Sequence, residues 1–175
     1  MTFGVIRFFK RNKKDFKMLK TFYNSLEEEK ITFLSSWNTI TSAKFMLISE
    51  YEGQIIAISG VTHKDNSFSC VKKQYQGRGI GKSLAARKLK YCKKIGVKKI
   101  RAASFNPISQ HLAEKTGYKE LLRIDKTVYY ELPLLKVSKI TLPIRRIVYL
   151  LFGFWMNLRL AVAKKTFKGI DFLKG

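Results

Sequence analysis

The residues with the clearest chemical potential are Gln76-Gly77-Arg78-Gly79-Ile80-Gly81-Lys82-Ser83. Three glycines alternate over five positions, after a strand-like run and before an amphipathic helix. Glycine opens backbone conformations closed to other residues and lets a ligand approach the main chain. A helix is expected from about Lys82. Its first amides would have no intrahelical acceptor, and its dipole favours an anion. A glycine-rich turn feeding a helix N-terminus is a phosphate cradle, and Arg78 and Lys82 add positive charge. The plain alternative is a glycine-rich turn with no ligand.

Two familiar nucleotide patterns miss by one residue each. A P-loop requires glycine at 76, which is glutamine, although Gly81-Lys82-Ser83 fits its end. The dinucleotide fingerprint from Gly77 requires glycine at 82, which is lysine. The pattern Gln-x-x-Gly-x-Gly fits at every defined position, as Gln76, Gly79 and Gly81.

The elements that must position this loop follow from periodicity. Residues 2–9 suggest a strand. Asp15 can cap a helix over about 16–29, with Phe16, Leu19, Phe22, Tyr23 and Leu26 on one face and Glu27-Glu28-Glu29 as a solvated end. Phe33, Leu34 and Trp37 fall in a short helix or loop. Residues 44–51 and 55–62 read as a hairpin turning at Glu52-Gly53-Gln54. Residues 67–73 read as a strand running into the loop. The helix after the loop covers about 82–95. Leu84, Ala85, Leu89, Cys92 and Ile95 share a face; Arg87, Lys88, Lys90, Lys93 and Lys94 mostly face out, and Gly96 stops it. Residues 97–104 form a strand. Asn106 caps a helix with Pro107 in its first turn and Gly117 at its end. Residues 126–132 form a last strand. The order implies an α/β protein with a mixed, mostly antiparallel sheet flanked by helices.

The loop pattern resembles the acyl-coenzyme A site of the GNAT superfamily of N-acetyltransferases. A second segment, Asn106 to Tyr118 (NPISQHLAEKTGY), resembles that family's Asn-x-x-Ala/Ser-x-x-Leu/Phe-Tyr-x-Lys-x-Gly-Phe/Tyr run. Asn106, Ser109, Leu112, Lys115, Gly117 and Tyr118 match in register. The resemblance spans 1–134 and implies a GNAT-like domain there. It implies acetyl-CoA as co-substrate, with no metal, and its diphosphate on the loop amides. It also implies a sheet splayed between 67–73 and 97–104, with the pantetheine arm in the gap. The implied coenzyme-binding residues are Cys70, Val71 and Lys73 on the strand. In the loop they are Gln76, Gly77, Arg78, Gly79, Ile80, Gly81, Lys82 and Ser83, with Asn106 and Ser109 beyond. For Asn106, helix capping is an alternative that can hold together with binding.

Acetyl transfer to an amine needs a polarised thioester carbonyl, a neutral amine and a protonated leaving thiolate. A backbone amide at 70–72 can polarise the carbonyl. The family's acid tyrosine would fall at 113, which is Ala113. Ser109 is a stand-in, against a simple helix-surface or packing serine. For the base, Glu50, Glu52 and His63 are the available groups, each against a solvated turn residue. Glu50 is the expected choice. Cys70 could carry an acyl-cysteine, but a strand core thiol is the simpler reading.

The chain of 175 residues is enough for one domain with a core, and its 46% apolar content is ordinary for a globular protein. Two cysteines, Cys70 and Cys92, give no disulfide framework and no zinc spacing, which suggests a reducing compartment. The net charge is +23. Residues 1–134 hold 26 basic and 11 acidic side chains, and 135–175 hold 9 and 1, so the charge is not a mere tail. Such a field attracts polyanions and repels basic protein tails; a general lysine bias is the alternative. The expected acceptor is therefore a small or anionic primary amine, carried on a sugar, nucleotide or lipid phosphate.

Residues 135–175 are expected to form a basic, amphipathic helical extension beyond the family domain. Within 142–165 the apolar run Ile147–Met156 is ten residues long, flanked by Arg145-Arg146 and Lys164-Lys165. A membrane-spanning helix wants about 20 apolar residues. A helix lying in an anionic membrane interface suits this pattern, with packing on the domain or a homodimer as the alternative. No apolar signal-peptide region precedes the domain, so a cytoplasmic protein, peripheral on the inner membrane face, is expected. The rival functional reading is a catalytically weak or inactive binding module, acting on nucleic acid or at a membrane surface. Nucleic acid is the weaker case, because no reading motif accompanies the lysines.

Overall fold

The computed structural model describes residues 4–29, 31 and 35–134. The expectations for Phe33, Leu34 and the extension 135–175, with its membrane and dimer readings, lie outside these residues. The elements run β1 (Val5–Phe8), α1 (Lys13–Glu28), α2 (Trp37–Thr41), β2 (Phe45–Tyr51), β3 (Gln54–Val61) and β4 (Ser67–Val71). After a 3-10 turn at Lys73–Tyr75 come α3 (Ile80–Lys94), β5 (Lys99–Ser104), α4 (Pro107–Lys115), β6 (Lys119–Ile124) and β7 (Thr127–Pro133).

The strands form two antiparallel sheets, ordered β1-β2-β3-β4 and β5-β7-β6. Among the described residues, β4 and β5 touch as strands only at the parallel bridge Asn66–Arg101, reinforced by Arg101 N donating to Asp65 O at 2.9 Å. Beyond that bridge they part. One face of the first sheet packs on α1 and α2, where Leu19, Phe22, Leu26 and Ile40 meet Ile48, Ile55, Ile58, Phe68 and Cys70. On the opposite face, Ile80 and Leu84 of α3 meet Leu47, Ile56 and Ala57. Further along, Cys92 of α3 packs with Val61 of β3 and Ile100 of β5. Thus α3 lies over both sheets and holds them together while the strands beneath it diverge.

Several sequence expectations are corrected. Asn12, not Asp15, caps α1; its side chain accepts from Asp15 N at 2.8 Å. Asp15 is instead buried in a bidentate pair with Arg7, at 2.6 and 2.8 Å, and also accepts from Lys10 N at 2.7 Å. Paired to the guanidinium, its carboxyl titrates below its ordinary value despite burial. Helix α3 starts two residues earlier than expected, because Gly79 in the left-handed region is its N-cap. Glu29 is not a solvated end; it accepts from Lys73 N at 2.7 Å, tying α1 to the end of β4. Lys88 does not face out. It is buried in the stripe Ile80, Leu84, Lys88, Cys92. Strand β6 has no counterpart among the sequence expectations.

Candidate active site

The site is a gap and a cradle. Lys72 donates its amide back to Ile56 O at 3.0 Å. Backbone groups alternate direction along an antiparallel strand, so the amides and carbonyls of Val71 and Ser69 point the other way, toward β5 and the gap. That places the Val71 amide, within the expected 70–72, on the gap edge rather than against β3. The Ser69 amide, one step earlier, shares that edge.

The loop closes the end of the gap. Gln76 Nε2 donates to Val71 O at 3.0 Å, fastening the loop to the strand. Gly77 and Gly79 have φ of 74° and 76°, a region costly for residues with a Cβ. The first intrahelical bond runs from Ser83 N to Gly79 O, at 3.0 Å. The amides of Ile80, Gly81 and Lys82 precede it and have no acceptor within the helix. A Cβ on Gly81 would stand 3.7 Å from Val71 Cγ2, over the mouth of the gap. Nothing inside the protein demands glycine there; close approach of a ligand would. The Arg78 guanidinium lies 5.6 Å from the Tyr75 ring centroid, held beside the loop, and Lys82 and Ser83 are exposed at the helix start.

On the far wall, Asn106 follows the end of β5 and caps α4, accepting from Ile108 N at 2.9 Å. Ser109 is exposed on α4. Cys70 points away from α3 into the α1 core, and burial pushes its thiol up to about 12. Such a thiol is a poor nucleophile at neutral pH. Lys73 opens the 3-10 turn after β4, with its side chain exposed. Glu50 is not brought to the gap. It lies on β2, separated from β4 by β3, and its carboxylate takes Arg7 Nε at 2.8 Å.

One polar group that periodicity concealed does lie by the gap. Lys88 Nζ donates to Ser67 Oγ at 2.5 Å and Ser69 Oγ at 3.3 Å, both on β4. Desolvation lowers its ammonium to about 8. The signal was present: Lys88 sits four residues after Leu84 and four before Cys92, on the apolar stripe.

Split strands beside a glycine-capped helix N-terminus define a mixed α/β fold in which an open strand edge leads to helix amides without intrahelical acceptors. Residues 10–118 match the model of the acetyltransferase (GNAT) family, and the chain belongs to that family. The chain is similar in fold to the ribosomal-protein-S18-alanine N-acetyltransferase of Escherichia coli, at 16% identity and TM-score 0.58, covering 77% of this chain and 97% of that one. It is similar to an N-acetyltransferase of Staphylococcus aureus Mu50, at 17% identity and TM-score 0.59, covering 75% and 98%. The yncA protein of Salmonella typhimurium, solved with its cofactor acetyl-CoA, is similar at 16% identity and TM-score 0.59, covering 78% and 97%. No curated protein sequence matches the chain.

Proposed function

We propose that this protein is an acetyl-CoA-dependent N-acetyltransferase acting on a primary amine by direct attack. The observation that carries the reading is the parting of β4 and β5 directly below the open amides of the Gly79-capped helix. The diphosphate sits on the amides from Gly77 to Lys82, with Arg78 and Lys82 countering its charge. The pantetheine arm runs along β4 from Lys73 toward Cys70 and pairs with the outward edge of Val71. The Val71 or Ser69 amide polarises the thioester carbonyl as an oxyanion donor. Asn106 lines the opposite wall through its side-chain amide, while its oxygen keeps α4 capped.

The acceptor is a small or anionic amine. The net charge of +23 draws a phosphorylated amino sugar, nucleotide or lipid and repels a lysine-rich tail. Calorimetry with coenzyme A and an acetyl-CoA turnover assay over an amine panel test both halves. Binding of coenzyme A and faster acetylation of anionic amines are expected. Absence of heat with coenzyme A sinks the whole reading; preference for lysine-rich peptides sinks the acceptor class alone.

A further inference from the structure

Lys88 is a buried charged group beside the gap that the proposed site leaves unused. It is 4% exposed, and among the described residues no carboxylate pairs with it. Its partners are hydroxyls. Ser69 Oγ, which it reaches at 3.3 Å, lies 2.7 Å from Ser59 Oγ on β3. An ammonium in such a place costs stability that an apolar side chain at the same helix position would not. Buried titratable groups beside a cleft are functional candidates.

Position gives this one a task. Gly81 stands over Val71, and Lys88 stands over Ser69 and Ser67, so α3 runs back along β4. Eight residues of helix place Lys88 about 12 Å from Ile80 at 1.5 Å per residue. Ser69 is exposed, and its backbone faces the gap. A coenzyme anchored at the helix N-terminus, with its arm lying along β4, brings its sulfur to the level of this serine.

We infer that the Ser69 hydroxyl protonates the departing coenzyme A thiolate, and that Lys88 replenishes that proton from behind. The inference rests on the acetyl-transfer reading and fills the acid role that Ala113 leaves vacant. The amine lone pair forms a C–N bond to the thioester carbonyl carbon. The C–S bond then breaks with its electron pair on sulfur. Ser69 gives its hydroxyl proton to sulfur as the Lys88 ammonium protonates Ser69 Oγ. Lys88 becomes a neutral amine and regains a proton from water, while the new amide nitrogen releases one to water. Ser69 touches the substrate; Lys88 is a positioning residue.

The energetics suit the relay. At about 8, Lys88 lies close to a free thiol at ~8.5, so the proton moves between nearly matched groups. The titratable groups around it are Cys92, one turn along α3, and Tyr118 ahead of β6. Asp65 and Lys44 act on Cys92 in turn. None of these supplies a carboxylate directly against the ammonium.

The test uses free coenzyme A bound to the full chain, with thiolate ultraviolet absorbance followed against pH. The protein's own thiols stay silent, because burial holds Cys70 at about 12 and Cys92 at about 11. A cation acting through Ser69 lowers the bound coenzyme thiol by about one unit from its free value of ~8.5. Lys88→Met should return it to the free value, and Ser69→Ala should lose most of the shift. Lys88→Arg should keep the shift yet lose turnover about 100-fold, since a guanidinium does not release its proton. Identical thiol titration in wild type and Lys88→Met, with coenzyme bound by both, overturns the inference. If wild type binds no coenzyme A, the acetyltransferase reading fails first. Should Lys88→Met alone fail to bind, the Ser69→Ala titration decides.

Discussion

Lys88→Met should make this protein more stable at neutral pH, whatever the residue does in turnover. At pH 7 the ammonium is present in both folded and unfolded chains, and the folded state carries the cost of burying it. Lowering its titration from the ordinary 10.5 to about 8 corresponds to a cost of about 3 kcal/mol. Methionine fills a similar volume and keeps helix propensity. It gives up the hydrogen bonds to Ser67 and Ser69, worth about 1 kcal/mol net, since Ser69 keeps Ser59 and the Phe68 carbonyl as partners. The expected gain is about 2 kcal/mol, or roughly 4–8 °C in Tm at ~2–4 °C per kcal/mol for a chain of this size. The pH dependence is the sharper signature. As pH rises through about 8 the folded wild type sheds its proton before the unfolded chain does, so its stability climbs until about 10.5. The advantage of methionine therefore shrinks over that window, and wild type becomes the more stable by about 1 kcal/mol above it. Urea unfolding of both proteins at pH 7, 9 and 10.5 measures this. A variant less stable than wild type at pH 7, or a difference that ignores pH, would refute the account of Lys88 as a desolvated cation.

Three further perturbations test the frame. Gly79→Ala should cost about 1–2 kcal/mol of stability from its φ of 76°, with no clash, and weaken coenzyme A binding at least tenfold by calorimetry. Asp15→Asn should cost about 1–3 kcal/mol at pH 7 by removing the buried carboxylate that accepts from Arg7 and from Lys10 N, although Arg7 keeps Glu50 as a partner. Because Arg7 holds the Asp15 carboxyl below its ordinary value, that difference should fade in denaturation curves as pH falls through the lowered value. Gly60→Ala should destabilise by about 1–3 kcal/mol in the same assay. Its Cβ would press on the Phe68 ring and stand 2.6 Å from the Phe45 carbonyl oxygen, which cannot swing away.

The cradle was legible because its signals are local. Gly77 and Gly79 announce left-handed backbone, and a helix must begin where Ser83 can reach Gly79. Asn106 and Pro107 mark the start of α4 by the same kind of short-range chemistry. Strand β6 escaped because it lacks such marks. Lys119–Ile124 reads KELLRI, rich in residues at home in helices, and the register shift between Glu120 and Leu122 breaks its alternation. Its formation depends on β7, whose Tyr129 and Val128 sit opposite Leu122 and Arg123. The turn that joins them, with Asp125 at φ 50°, was the available clue.

The misplacements of Asp15 and Lys88 share a cause. Each residue type has a default role, helix cap or solvated face, that sequence spacing alone assigns. Asp15 abandons the cap because Arg7, eight residues earlier, crosses from β1 to meet it, and Asn12 takes the vacated task. Lys88 abandons solvent because α3 has four apolar-stripe positions, and two β4 serines await the one that is charged. In each case a partner on another element decides, and that partner is invisible until the sheet is assembled. The two outcomes differ in energy. Arg7 answers both Asp15 and Glu50, so burying the Asp15 carboxylate against it is a means of fastening α1 to β1. Lys88 has hydroxyls and no counter-charge, so its burial serves no fastening that methionine could not. Lys72 is buried too, but at the end of β4; a desolvated ammonium on the stripe of α3 that packs over β4, bonded to Ser67 and Ser69, is the cost on which the proposed proton relay rests.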